Sequence, residues 1–205
     1  SQAMHPNSSQ AFIATAGEAL IDMVGKLDGS FVPCLGGAVY NLTRALALQG
    51  VPTLYLNPLS CDRFGRQLAQ GLHRAGVTLA QPAPVMEVTA LAMVSVNESG
   101  HPDYAFYREG VADRATTAQQ LVSACAQAGL LQLVCTGALA LSPDDAHVYL
   151  PWLQAQRAAG RTVVVDANMR PSVMPDLEAY RAHVLQVLQL ADVIKVSDED
   201  LQHLG

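Results

Sequence analysis

Short runs of consecutive apolar residues alternate along this chain with longer segments whose apolar residues recur every three or four positions. The short runs predict buried β-strands and lie at 11–16, 52–56, 131–135, 162–165 and 193–196. The longer segments predict amphipathic helices and lie at 38–49, 62–75, 117–128, 143–160, 180–190 and from 197 onward. Alternating strands and helices are typical of a parallel sheet with crossover connections, so the pattern predicts an α/β fold.

The alternation is interrupted once, by two strand-like runs at 88–96 and 104–108 that are joined by the turn residues 97–100. This pattern predicts a hairpin that either extends an edge of the sheet or forms a separate flap. Phe106 and Tyr107 lie on its second arm, where ordinary cross-strand packing would account for both. Packing accounts less well for Arg108, which follows them directly.

A pair of glycines, Gly36 and Gly37, precedes the first predicted helix. Because glycine has no Cβ, the backbone there can adopt unusual dihedral angles and a ligand can approach it closely. Helical spacing predicts a buried apolar face centred on Leu42, with Asn41 on its flank near the helix start. The pair is either a turn that leads into a core helix or a platform for a ligand, and the glycines alone favour the turn.

Polar residues follow several predicted strands, where ligands gather in open α/β sheets. Asp22 lies among apolar residues just beyond the first core strand, either as a turn-capping residue or as a ligand group. Asp166, Asn168 and Arg170 follow the strand at 162–165, and this set is typical of a ligand site. Ser197 and the acidic residues after it also follow a strand, but an N-cap and the acidic first turn of a helix explain them equally well.

Composition narrows the function classes. The 205 residues carry a net charge of −6 with 12 Lys and Arg in total and no basic block, which argues against nucleic acid and anionic membranes as partners. The four cysteines form no CxxC pair, so we expect reduced thiols, as in a cytoplasmic protein. No apolar run approaches the roughly 20 residues that span a bilayer. Residues 1–10 are polar, and we interpret them as a disordered tag remnant.

Taken together, these motifs resemble those of the ribokinase-like, PfkB-type carbohydrate kinases. Gly36-Gly37-Ala38-x-x-Asn41 is similar to the first signature of that family, with Thr43 where a small apolar residue is usual. Other segments resemble its fructokinase and 2-keto-3-deoxygluconate kinase branches, namely Gly17-Glu18-x-Leu20-x-Asp22, Phe106-Tyr107-Arg108 with Ala112-Asp113, Asp166-x-Asn168-x-Arg170-Pro171 and Lys195 to Leu201. The resemblance extends from about Phe12 to the end of the chain.

This resemblance implies a three-layer α/β/α sandwich within 11–205, with a small β-sheet lid formed by about 18–33 and 87–109. It implies transfer of the γ-phosphoryl group of ATP to a sugar hydroxyl with Mg²⁺, and a lid that can mediate homodimers. The implied sugar-binding residues are Asp22, Gly36, Gly37, Asn41, Phe106, Arg108 and Arg170. Those implied near the nucleotide are Asn168, Lys195 and Ser197, and Arg170 would also stabilise the transition state.

Two departures from the family pattern matter for activity. The acidic residue that the family places in the Mg²⁺ shell, through water, corresponds to Asp200 in an SxxD sequence rather than NxxE. The Gly-Ala-Gly-Asp segment, whose aspartate is the catalytic base of the family, does not occur in these 205 residues. We therefore expect that the chain is the N-terminal portion of a kinase and that this portion alone is inactive.

Three alternatives remain beside a fructokinase-like kinase. A 2-keto-3-deoxygluconate kinase would use Arg108 and Arg170 to bind a carboxylate, although the Ala112-Asp113 ending favours a neutral ketose. A non-catalytic sugar-binding or regulatory module derived from the kinase fold is the alternative from another class. A Rossmann dehydrogenase is disfavoured because no GxGxxG follows the first strand.

Overall fold

Two β-sheets organise the chain in the computed structural model, which describes residues 10–205. The predicted tag remnant, apart from Gln10, therefore lies outside the described residues. The ten strands are β1 (Ile13–Thr15), β2 (Leu20–Gly25), β3 (Phe31–Gly36), β4 (Thr53–Tyr55), β5 (Thr78–Leu79), β6 (Ala90–Val96), β7 (Pro102–Tyr107), β8 (Leu133–Gly137), β9 (Thr162–Asp166) and β10 (Val193–Lys195).

Six helices accompany these strands, and most of them begin after a residue that can cap a helix. They are α1 (Ala38–Leu48), α2 (Arg63–Ala75), α3 (Ala118–Ala126), α4 (Ala146–Ala158), α5 (Leu177–Gln189) and α6 (Asp198–Leu204). Asp62, Thr117 and Asp176 each accept a hydrogen bond from the backbone N–H three residues on. Each such bond satisfies a donor that the first turn of a helix would otherwise leave unpaired.

The larger sheet has six strands in the order β10-β9-β8-β1-β4-β5, all of them paired in parallel. Successive side chains of a strand point to opposite faces, and β4 shows the result. Leu54 belongs to a core that includes residues of α3, α4 and α5, whereas Tyr55 belongs to a second core with residues of α1 and α2. Helices thus cover both faces, and the predicted three-layer α/β/α architecture is confirmed.

The smaller sheet has four strands in the order β3-β2-β6-β7. β2 pairs with β3 and β6 pairs with β7 in antiparallel hairpins, while β2 and β6 run parallel at the centre. Leu20, Ala90 and Ala92 on the inner face are buried against Val111 and Leu139 of the main body. This third core holds the smaller sheet against the carboxyl ends of the larger one.

Two details of the predicted elements are wrong. Asp22 lies within β2, opposite Cys34 of β3, and not beyond the end of a core strand. The buried face of α1 comprises Val39, Tyr40 and Thr43 instead of centring on Leu42. Thr43 can be buried because its hydroxyl donates to the backbone oxygen of Val39 at 2.7 Å and pairs with the hydroxyl of Thr15 at 2.6 Å, a partner that helical periodicity does not reveal.

None of the six helices within residues 10–205 combines the length and hydrophobicity that crossing a bilayer requires.

Candidate active site

A cleft of about 240 Å³ lies between the smaller sheet and the main body. It is lined by side chains or backbone of β2, β7, the start of α1 and the segments that follow β1, β8 and β9. A larger cavity of about 730 Å³ lies at the tip of the β2–β3 hairpin, where the carboxylate of Asp28 turns back onto Ser30 of its own loop. Of these two, the smaller cleft is the one in which polar groups from several separate segments converge, so we take it as the candidate site.

The floor of the cleft includes the glycine turn and the first turn of α1. Gly37 has φ +101°, a region that side chains rarely allow, and a Cβ there would lie 2.9 Å from the carbonyl oxygen of Glu18. A Cβ at Gly36 would collide with the carboxylate of Asp22. Gly37, Ala38 and Asn41 line the cleft, and Gly36 lies directly against Asp22. Glycine is thus needed at Gly37 for the turn to lie this close to the backbone of Glu18, whereas a side chain at Gly36 would displace the carboxylate of Asp22.

Asp22 is a partly buried carboxylate on the inner part of β2. Burial raises the pKa of its carboxyl group above the usual value, and the positive charge of Arg170 partly offsets that effect. Arg170 lines the same cleft. The site therefore contains a negative and a positive side chain on two separate segments, and both are in reach of a polar ligand.

Two aromatic rings of β7 lie over the cleft. Tyr104 and Phe106 stack with ring centroids 6.0 Å apart and an interplanar angle of 14°. Tyr107 alternates to the other face of the strand and is 61% exposed. The flat apolar faces of Tyr104 and Phe106 are suited to packing against the C–H face of a small polar ligand and excluding water from it.

Arg108 does not reach this cleft. Its guanidinium lies 3.9 Å from the carboxylate of Asp145, and its backbone oxygen accepts a hydrogen bond from Arg114 at 2.6 Å. Together with Arg114 it lines a neighbouring cavity of about 220 Å³. Phe106 and Leu139 line both cavities, so Arg108 lies beside the cleft without lining it.

The segment after β9 positions Arg170. Asn168 has a positive φ of +34°, and its side-chain oxygen accepts a hydrogen bond from Arg170 Nη1 at 2.7 Å. The backbone N–H of Arg170 donates to the hydroxyl of Tyr180 at 2.9 Å. Asn tolerates a positive φ better than most residues. Its presence here fits a turn that directs Arg170 toward the cleft.

Lys195, Ser197 and Asp200 lie beyond the cleft. Lys195 is on the edge strand β10, 3.9 Å from Asp166. Ser197 and Asp200 form a reciprocal capping box at the start of α6. Asp200 is buried, and its two oxygens accept hydrogen bonds from the N–H groups of Met169 and Ser197, at 2.8 and 3.0 Å. Across residues 10–205 no three His, Cys, Asp or Glu side chains are grouped so as to hold a metal ion.

Comparison with known proteins identifies the family of this chain. The model of the pfkB family of carbohydrate kinases matches residues 10–204. The chain belongs to the pfkB family. It is 31% identical over 197 residues to a fructokinase of Rhizobium leguminosarum bv. trifolii, covering 94% of this chain and 59% of that protein. It is 29% identical to fructokinase-1 of Zea mays, covering 96% and 63%. The chain thus spans about three-fifths of the length of these relatives.

Solved structures agree with the fold of this pfkB family member. The crystal structure of a fructokinase from Xylella fastidiosa matches with a TM-score of 0.82 and 29% identity, over 95% of this chain and 64% of that one. A putative ribokinase II from E. coli matches with a TM-score of 0.81 at 22% identity, over 95% and 65%, and so supports the fold alone. A second Xylella fastidiosa fructokinase structure contains bound ATP.

Of the seven residues that the family resemblance assigns to the sugar, the structure brings five into one cleft, namely Asp22, Gly37, Asn41, Phe106 and Arg170. Gly36 adjoins them, and Arg108 is elsewhere. The cleft is also lined by four residues to which the sequence motifs assign no role, namely Glu18, Tyr104, Ala138 and Leu139. The alternation of β7 could have found Tyr104, which is two residues before Phe106. The Glu18 position had a weaker signal, since it is an acidic residue between two apolar runs.

Proposed function

We propose that the complete gene product is an ATP-dependent carbohydrate kinase and that this chain supplies its sugar-binding cleft, with a neutral ketose such as fructose as the acceptor. The observation that carries the proposal is the convergence of Asp22, Asn41 and the Tyr104–Phe106 pair in one cleft. A sugar offers hydroxyl groups for the carboxylate and the amide, and C–H faces for the rings. Membership of the pfkB family and likeness to fructokinases support the phosphoryl acceptor class.

In this proposal each group has a separate task. Asp22 and Asn41 bind sugar hydroxyls and fix the orientation of the acceptor, since a buried hydroxyl without a partner is costly. The smaller sheet acts as a lid whose aromatic rings exclude water, which limits wasteful hydrolysis of ATP. Arg170 supplies positive charge beside the acceptor, where transfer of a phosphoryl group needs charge stabilisation.

The chemistry at the far end of the site is less complete in this chain. Lys195 and Ser197 are exposed, and we assign them to the nucleotide side together with Asn168. Asp200 does not fit direct coordination of Mg²⁺, because both of its oxygens already accept backbone hydrogen bonds. The catalytic aspartate segment of the family does not occur in the sequence, so transfer is proposed only for the complete gene product.

The rival acid substrate is less well supported. A 2-keto-3-deoxygluconate kinase would pair Arg108 with Arg170 on a carboxylate, but Arg108 is held near Asp145 outside the cleft. Arg170 shares the cleft with the carboxylate of Asp22. The negative charge of Asp22 would repel the carboxylate of an acid substrate. The cleft therefore favours a neutral sugar.

A coupled ATPase screen of the complete gene product tests the proposal. The acceptors are fructose, ribose, 2-keto-3-deoxygluconate and nucleosides, each with ATP and Mg²⁺. We expect stimulation to be strongest with fructose. If no acceptor stimulates ATP turnover while the protein is folded, the kinase proposal is wrong, and preference for 2-keto-3-deoxygluconate would replace the neutral ketose with an acid.

A further inference from the structure

Glu18 lies in the link between β1 and β2, at the floor of the cleft, with 2% of its surface exposed. Its side-chain Oε1 accepts a hydrogen bond from the backbone N–H of Ala38 at 3.1 Å, and its backbone oxygen accepts one from Tyr40 at 3.2 Å. Glu18 therefore holds the first turn of α1 by two bonds. That turn carries Gly37 and Asn41 into the cleft.

The second carboxyl oxygen of Glu18, Oε2, does not take part in holding this turn. Among the described residues, Oε2 is buried and has no hydrogen-bond partner. Buried polar atoms are nearly always paired, since leaving one unpaired costs on the order of 1–3 kcal/mol. An unpaired oxygen of a cleft-lining side chain is therefore a group that a bound ligand can satisfy.

The charges around Glu18 do not balance. Buried Asp113 and Asp145 lie on one side with Arg108 and Arg114, so the cluster with Glu18 holds three carboxyl groups against two guanidinium groups. Across the cleft, Asp22 is accompanied by Arg170. The nearby phenols of Tyr55 and Tyr180 are neutral, because burial raises the pKa of both. One carboxyl group of the cluster is therefore in excess.

Burial is the main reason that the pKa of Glu18 rises to about 7, and the charge of Asp113 acts in the same direction. The backbone bonds and Arg108 act against it. Near neutral pH this carboxyl group therefore exists in both forms, whereas an ordinary Glu is ionised. The protonated form can donate a hydrogen bond, which the ionised form cannot.

We propose that Glu18 is a further sugar-binding group, whose protonated Oε2 donates a hydrogen bond to a sugar hydroxyl oxygen while Oε1 keeps its bond to Ala38. This inference rests on the proposed function, because it takes the ligand of the cleft to be a sugar. Asp22 then accepts a bond from one hydroxyl and Glu18 donates to another, so the two carboxyl groups of one cleft have opposite roles.

A dependence of sugar binding on pH follows from the proposal. Only the protonated protein makes the bond, so sugar binding takes up a proton from solvent when Glu18 begins ionised. With a pKa of about 7, the competent fraction falls about tenfold between pH 6 and pH 8, and the apparent affinity falls with it. At pH 7 about half a proton is taken up per sugar bound.

Titration calorimetry of D-fructose into the complete gene product measures both effects. The titrations are made at pH 6 and pH 8, and at pH 7 in two buffers of different ionisation enthalpy, whose difference gives the number of protons taken up. We expect binding about tenfold weaker at pH 8 than at pH 6 and uptake of about half a proton at pH 7.

The Glu18→Gln variant isolates the role of Glu18. The amide oxygen can accept from Ala38 and the amide N–H₂ can donate to the sugar at any pH, so we expect binding near the pH 6 affinity of the unmodified protein, with no pH dependence and no uptake. Glu87→Gln removes an exposed carboxylate outside the cleft and is expected to behave like the unmodified protein. Carboxyl ¹³C NMR of the unmodified protein requires no substitution. One Glu signal should titrate near pH 7 and move above pH 8 with fructose bound.

Three results would overturn the inference. The first is that fructose binds the unmodified protein at pH 7 without proton uptake. The second is that binding of fructose to the Glu18→Gln variant keeps its dependence on pH. The third is that a Glu signal titrates near pH 7 and fructose does not change its pKa, a result that needs no folded variant. If fructose does not bind the unmodified protein at any pH, the proposed fructose acceptor falls too, which separates that failure from a failure of the Glu18 assignment alone.

Discussion

Asp22 and Asp200 are both carboxylates in segments that resemble family motifs, yet their surroundings differ. Asp22 is partly exposed in the cleft, where burial raises the pKa of its carboxyl group and Arg170 is its charged neighbour. Asp200 is buried, and backbone N–H groups of Met169 and Ser197 occupy its two oxygens. A carboxylate saturated by backbone donors stabilises the fold, whereas one that faces a cleft is available to a ligand.

The contrast extends to what each residue holds in place. The carboxylate of Asp200 joins the start of α6 to the loop after β9 and so supports the segment that carries Arg170. The side chain of Asp22 does not hold its strand in place, because backbone hydrogen bonds to β3 and β6 hold β2. Substitution should therefore affect ligand binding at one position and stability at the other.

Replacement of Asp22 by Ala gives the largest expected effect. We expect fructose affinity of the complete gene product to fall at least about 100-fold, or about 3 kcal/mol, because a charged hydrogen-bond acceptor for the sugar is lost. The melting temperature should change little, since a partly desolvated charge is removed. Calorimetry and thermal unfolding check both parts, and Asp103→Ala on exposed β7 is the matched control. Unchanged affinity would remove Asp22 from the site.

Replacement of Asp200 by Ala should act on stability instead. Loss of two charge-assisted bonds to backbone N–H groups should lower the free energy of unfolding by about 2–3 kcal/mol, measured by chemical denaturation. The conservative Asp200→Asn variant keeps one acceptor and should lose less, with an unchanged Mg²⁺ requirement in the kinase assay. A many-fold rise in that requirement at unaltered stability would instead assign Asp200 to the metal.

Asn41→Ala should have the smallest effect. The side chain is exposed at the cleft in the first turn of α1, so a neutral hydrogen bond to the sugar is all that is lost. We expect fructose affinity to fall about tenfold, or about 1.4 kcal/mol, with the fold intact. Gln49→Ala at the other end of the helix is the matched control. If the Asn41→Ala and Gln49→Ala variants bind fructose equally well, Asn41 does not bind the sugar and the glycine turn has only a structural role.

Hydrophobic periodicity was sufficient for the main architecture because the central strands β1, β4 and β8 of the larger sheet are buried on both faces and read as continuous apolar runs. It was insufficient where burial depends on a distant partner. Thr43 is buried against Thr15, whose hydroxyl pairs with it although Thr43 also donates to Val39 of its own helix, and Asp22 lies within a strand because β2 pairs with β6 of the smaller sheet. Neither Thr15 nor β6 lies within the same stretch of sequence as its partner.

Prediction of the site had the same limit. The family motifs identified Gly37, Asn41 and Arg170, which the structure brings into the cleft. They also included Arg108, whose position depends on Asp145 far along the chain. Glu18 could not be ranked from sequence, because its burial and its raised pKa arise from Ala38, Arg108 and Asp113 together. The assigned roles of all these residues remain predictions until binding is measured.

The parallel pairing of β2 with β6 has a consequence for how the chain folds. Leu20 is paired with Ala90, about 70 positions later, and the hairpin partner of β6 ends only at Tyr107. Contacts of such long sequence separation form slowly, since a large loop must be closed before they contribute. During synthesis the inner face of the β2–β3 hairpin therefore stays exposed to solvent until β6 and β7 have left the ribosome. Mutations that weaken the β2–β6 ladder should thus reduce the yield of folded protein before they alter its finished structure.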